Sequence, residues 1–478
     1  MTVMFWPVLI FMAISLAIGL YTYTKVRGSS VRFAVCNKSL PFIVVGTELM
    51  AQAVDGNSTL GAASLTYTGS VWGGLMISLG LGASLFIVGR FLAEPLNQMN
   101  LLTLPEFFHR RYGKHTELLV SVLTIVSFTI LIAGNLSAVA WVLSVVSGTG
   151  YLPALLFATA VIVAYTIAGG LYSAIWTDFV QEYIALIGFV AAAAWLLATR
   201  GFSSMVAAVP ASTVDLSSLF TREGGGLVNW AGFIALAFGN AMALDFMERV
   251  FAARDGRTAR RGCYYGAGMT ILIGVCVAVI GLACVASVRD LADPRMVLPM
   301  FAVDSLPYWI GVMVFIGILG ASMSTANGAI LVISLVLSRS ILQRWRPTIA
   351  GDDSGMLRLF RLMAVPTAMA AAAVAYVKPE PGILLIVAFD IVFAGCVVPL
   401  FAGVYWPKAN SAGAVASILV GTSARLLAHF TTPEAWAGLD TLVPPMLGAI
   451  TFYVTCQLTW KTHESRHYVL SDVASEGA

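Results

Sequence analysis

Glu48 and Asp55 stand seven residues apart in one apolar stretch, about two helical turns, so both project from one face. Asp55 is followed by Gly56, Asn57, Ser58 and Thr59, poor helix formers that leave backbone carbonyls unpaired. In a bilayer such unwinding survives only where it lines a protein-enclosed or watery cavity. A second interruption, Phe238-Gly239-Asn240, precedes Asp245, Glu248 and Arg249. The spacing places Glu248 and Arg249 at the cytoplasmic interface and lets Asp245 pair with Arg249 one turn away. A third stretch, Gly320 to Gly328, carries the adjacent hydroxyls of Ser324 and Thr325 in an Ile/Leu/Val-rich run. Hydroxyl oxygens facing the carbonyls of an unwound neighbour suit a hard monovalent cation. Asp178, after Trp176-Thr177, and Asp390, inside Ile386 to Phe393, add two further carboxylates. Asp390 must find a partner, become protonated or face water, and can serve packing, select a positively charged substrate group across the pocket or couple protons. His463-Glu464-Ser465-Arg466-His467 matches a zinc-protease signature, but its position near the end of the sequence offers no cavity, so it reads as a solvated tail.

Membrane helices must position these groups. Of 478 residues 59% are hydrophobic and only 11% charged, against about 25% charged in soluble proteins. The mean hydropathy is +0.88. Apolar runs of about 20 residues predict an all-α polytopic membrane protein with about thirteen spans. These start near residues 3, 41, 70, 117, 151, 174, 227, 262, 298, 357, 381, 411 and 439. Alternating segments of a β-barrel are absent. The six cysteines form no metal-binding cluster. A net charge of +3 does not suit a nucleic-acid partner. Twenty of the 27 basic residues fall in loops on one side and five on the other. That asymmetry predicts a multi-pass plasma (inner) membrane protein with its N-terminus outside and C-terminus cytoplasmic. Two broken helices five spans apart are expected to have opposite topologies, the mark of inverted repeats around a midplane site.

Several motifs resemble those of the sodium/solute symporter family, which includes proline, sugar, sialic acid, pantothenate and monocarboxylate carriers. They are Leu102 to Phe108 with Arg111-Tyr112-Gly113, Gly169 to Gln181, Glu248-Arg249 with Ala259 to Gly262, and Pro399, Gly403 and Tyr405-Trp406. The resemblance implies a LeuT-like five-plus-five inverted repeat with one leading and two trailing helices, working by sodium-driven alternating access. On that basis residues 1–40 form the leading helix and loop, 41–405 the core, 406–461 the trailing helices and 462–478 a cytoplasmic tail of one transporter domain. It also implies sodium held by the carbonyls of Ala53 and Gly56 together with Ala321, Ser324 and Thr325. Asp55 matches an aspartate important for sodium in the proline-type members. A second sodium in some members uses the aspartate here numbered Asp178, with further hydroxyls where this chain has Asn327 and Gly328.

The substrate pocket is expected around the two breaks, from Asp55, Asn57, Ser58 and Asn240 with Leu236 and Leu244 beside them. Arg90 and Arg425, the basic residues deep in spans, lie on helices not expected to line it. A polyanion would therefore lack an Arg clamp, which favours an amino acid, another zwitterion or an amine, with a small monocarboxylate still possible. The expected function is sodium-coupled uptake of a small organic solute, not catalysis. The alternative is a transport-like sensor acting with a separate signalling partner. The sequence carries no signal of oligomeric state.

Overall fold

The computed structural model describes residues 4–26, 28–288, 291, 293–350 and 352–460; among these, β-structure is limited to an isolated bridge between Leu40 and Ala253. The His463 to His467 run lies outside the described residues. Helix α1 (Phe5–Tyr21) leads, followed by the interrupted pair α2 (Phe42–Ala53) and α3 (Gly56–Thr68). Then come α4 (Val71–Gln98), α5 (Lys114–Ser147), α6 (Tyr151–Gly169) and α7 (Leu171–Arg200). A second group repeats the order. It opens on α8 (Gly226–Gly239) and α9 (Leu244–Ala252), a pair bent by 47°, and continues with α10 (Gly256–Ser287), α11 (Tyr308–Trp345), α12 (Asp353–Val377) and α13 (Ile383–Tyr405). Helices α14 (Ser411–Thr431) and α15 (Leu439–Thr459) trail and pack on each other and on α13.

Ten of these helices are individually long and apolar enough to span a bilayer, and the bent α8–α9 pair makes an eleventh. The short α1 and the polar, broken α2–α3 correspond to the other two predicted spans. One boundary moves. The span expected from residue 298 begins at Tyr308, because Val297–Asp304 forms a separate short helix and Pro307 precedes the long one.

Local chemistry explains several joints. Asp255, Asp352 and Asn410 each cap a helix by accepting from a backbone N–H, satisfying donors that a helix start leaves orphaned. Gly170, between α6 and α7, adopts a positive φ of 56°, and a Cβ there would collide with the Phe33 ring. The Leu104–Tyr112 helix docks through Tyr112 Oη on the Pro399 carbonyl at 2.6 Å and Arg111 Nε on the Gly403 carbonyl at 3.1 Å. Two motifs distant in sequence thus form one contact.

The start of α2 and the end of α9 are tied together. Leu40 N–H donates to the Ala252 carbonyl at 3.1 Å, and Arg254 N–H to the Leu40 carbonyl at 3.2 Å. Asn97 Nδ2 then donates to the carbonyls of Val250 and Ala253 at 2.7 and 2.9 Å.

Candidate functional site

At the first break Val54 and Asp55 are extended, and Asp55 becomes the N-cap of α3. Its Oδ1 accepts from Ser58 N–H at 2.7 Å while its own N–H donates to Ser58 Oγ at 2.9 Å, a reciprocal capping box. Asp55 Oδ2 accepts from Asn57 Nδ2 at 3.1 Å and from Asn135 Nδ2, on α5, at 2.7 Å. A fully buried carboxylate is therefore surrounded by donors.

The capping box has a consequence for α2. In a continuous helix Asp55 N–H would donate to the Ala51 carbonyl, but here it serves Ser58. Ala51 instead receives the hydroxyls of Ser324 and Thr325, both at 3.1 Å. The same hydroxyls reach the Ala321 carbonyl at 2.9 and 3.2 Å. Gly56 permits this approach, since a Cβ there would overlap Ser322 and Ala138. Of the oxygens that the resemblance assigns to a cation, the Ser324 and Thr325 hydroxyls come together at the Ala321 carbonyl. The carbonyl that meets the hydroxyls here is Ala51's, one turn before Gly56, and it joins Ala53 at the end of α2 where carbonyls lose their intrahelical donors.

A second cluster lies on the α2 side of that break. Arg249 is fully buried, which corrects its assignment to the cytoplasmic interface. Its guanidinium lies 2.8 Å from Glu248, 3.6 Å from Glu48 and 3.7 Å from Asp178. The expected pairing with Asp245 is replaced by these three acids, and Asp245 Oδ1 accepts from Phe246 N–H at 2.8 Å. Gln52 Nε2 also donates to Asp178 at 3.3 Å. Gly328 leaves room for the group, because a Cβ there would press on Gln52 and Arg249 Nη2. The positive charge beside Asp178 is thus a guanidinium, in the region where a second sodium would need its ligands.

Leu236, Asn240 and Leu244 are buried at the second break, as expected, and Asn240 Nδ2 donates to the Leu236 carbonyl at 2.9 Å. Asp390 is placed elsewhere. Its Oδ2 bonds Arg425 Nε and accepts from Thr441 Oγ1 at 3.0 Å, so the trailing helices α14 and α15 hold it. On the other side of the first break, along α3, a cavity of about 440 Å³ is lined by Leu60, Gly61, Ser64, Arg295, Glu380 and Ile386 among others. Sequence reasoning missed Asn135, a lone amide in the apolar run of α5. It also missed Glu182, a buried acid one turn beyond Asp178, although an ionisable group in an apolar run was itself the signal.

Two interrupted helices in repeated groups of five, with facing hydroxyls and carbonyls at one break, define a LeuT-like secondary transporter. A Na+-coupled sialic acid symporter in a substrate-bound, outward-open state has this fold, with a TM-score of 0.76 over 97% of this chain and 98% of that one at 16% identity. The chain belongs to the sodium:solute symporter family, whose model matches residues 33–421. It is 26% identical to the sodium/proline symporter of Haemophilus influenzae, over 85% of this chain and 84% of that protein. It is 24% identical to the high affinity choline transporter 1 of Homo sapiens, over 91% and 78% respectively. Membership makes this a multi-pass membrane transporter of a small solute with sodium as the coupling ion, and not an enzyme.

Proposed function

We propose that the chain takes up a small amine or zwitterion, an amino acid included, together with sodium, from a pocket at the two helix breaks. The supporting observation is a charge imbalance. Glu48, Asp55, Asp178, Glu182, Asp245 and Glu248 are all at most 2% exposed, and among the described residues Arg249 is the one guanidinium buried with them. Carboxyls gathered in a low-dielectric interior must be either protonated or matched by cations, which a sodium ion and a positively charged substrate group supply.

Ala53, Gly56 and Ala51 carbonyls with Ala321, Ser324 and Thr325 form the sodium side of this reading. The carbonyls freed at the end of α2 and the paired hydroxyls fit such an ion, whose gradient supplies the driving force when it is bound. Asp55, Asn57, Ser58, Leu236, Asn240 and Leu244 form the substrate side, with Asp55 oriented by Asn135. Asp178 belongs to the Arg249 cluster in this reading, and Asp390 to packing. The orientation, N-terminus outside in a plasma (inner) membrane, is supported by the basic-residue asymmetry. It puts the Arg249 cluster and the Leu40–Arg254 tie on the cytoplasmic pathway, closed here, and the cavity along α3 on the outer one.

Uptake of a labelled solute panel into proteoliposomes under an imposed inward sodium gradient tests the substrate class. Amines and zwitterions should accumulate, and sugars or polycarboxylates should not. Accumulation of a polycarboxylate in preference to both would overturn the assignment.

A further inference from the structure

Glu182 on α7 is completely buried. Its Oε1 accepts from Ser324 Oγ at 3.3 Å, while Oε2 has no hydrogen-bond partner among the described residues. Among the described residues no basic side chain pairs with it, because Arg249 is engaged by Glu48, Asp178 and Glu248. A carboxylate held this way lacks compensation that burial makes expensive to omit. The hydroxyl it contacts is the same one that reaches the Ala51 and Ala321 carbonyls.

We propose that Glu182 is a direct ligand of the coupling sodium ion, adding a full negative charge to an otherwise neutral set of oxygens. The proposal rests on the Ser324 and Thr325 reading of the sodium site. Hydroxyls and carbonyls contribute partial charges, so at this distance and burial a carboxylate dominates the electrostatics of the site. It would set the affinity for sodium and its preference over larger monovalent cations.

The test is sodium binding to purified carrier in nanodiscs without substrate, read from the sodium-dependent rise in melting temperature at constant ionic strength. Glu182→Gln keeps an acceptor for Ser324 and removes only the charge, so the sodium dissociation constant should rise about tenfold or more. Thr325→Ala is the comparison. Weakened binding in Thr325→Ala with an affinity within about twofold of wild type in Glu182→Gln overturns the proposal and leaves the sodium site standing. Near wild-type affinity in both removes the site and the proposal together. Should Glu182→Gln not fold, Glu182→Asp decides. Retreat of a direct ligand by one methylene weakens binding severalfold, and an unchanged affinity overturns the assignment.

Discussion

Ser324 on α11 donates to the carbonyl of Ala51 on α2 at 3.1 Å, and Ala51 is free to accept because Asp55 N–H has turned to Ser58 Oγ. The capping box and the candidate sodium site are therefore one structure. Whatever ends α2 at Val54 also presents its carbonyls to the hydroxyl pair.

Asp55→Asn should separate charge from cap. Asparagine caps a helix about as well as aspartate, so expression should stay near wild type while sodium-driven uptake falls about tenfold or more. Asn135→Ala removes one of the Asp55 donors and should have a smaller effect, in line with about 0.6 to 1.7 kcal/mol for an interhelical hydrogen bond. Transport rate per surface-expressed carrier checks both. An equal loss in Asp55→Asn and Asp55→Glu would point to packing geometry instead.

Removing Arg249 should leave Glu48, Asp178 and Glu248 facing one another without a counter-charge. Arg249→Ala is expected to destabilise the carrier by about 3–5 kcal/mol, and adding Glu48→Gln should restore part of the loss. Melting temperature and yield of the single and double variants provide the comparison. A single variant as stable as wild type would contradict a pairing role for Arg249.

Asp390→Asn should lower thermal stability, because Arg425 and Thr441 lose a charged acceptor, yet leave substrate preference unaltered. Competition of the labelled solute against the panel measures this. A changed order of preference would return Asp390 to the pocket.

The parts of the site that sequence made legible were those written in local composition. Asp55 to Thr59 cannot continue a helix, Ser324-Thr325 stand out in an aliphatic run, and apolar lengths count the spans. Tertiary facts were not legible. Arg249 lies close in sequence to Arg254 and Arg257, so charge counting placed it with that loop, whereas its burial depends on Glu48 two hundred residues away. Asn135 meets Asp55 only because α5 packs against α3. The use of Ala51 as acceptor follows from where Asp55 N–H points, which residue types do not state.

Sodium activation of uptake in Thr325→Ala bears most directly on the claim that the α2 break and the α11 hydroxyls hold the coupling ion. Uptake in proteoliposomes is measured as external sodium is titrated against a non-permeant cation. Loss of one of few hydroxyl oxygens should raise the half-saturating sodium concentration about tenfold, with expression and melting temperature near wild type. A Thr325→Ala carrier with wild-type sodium activation would contradict the assignment.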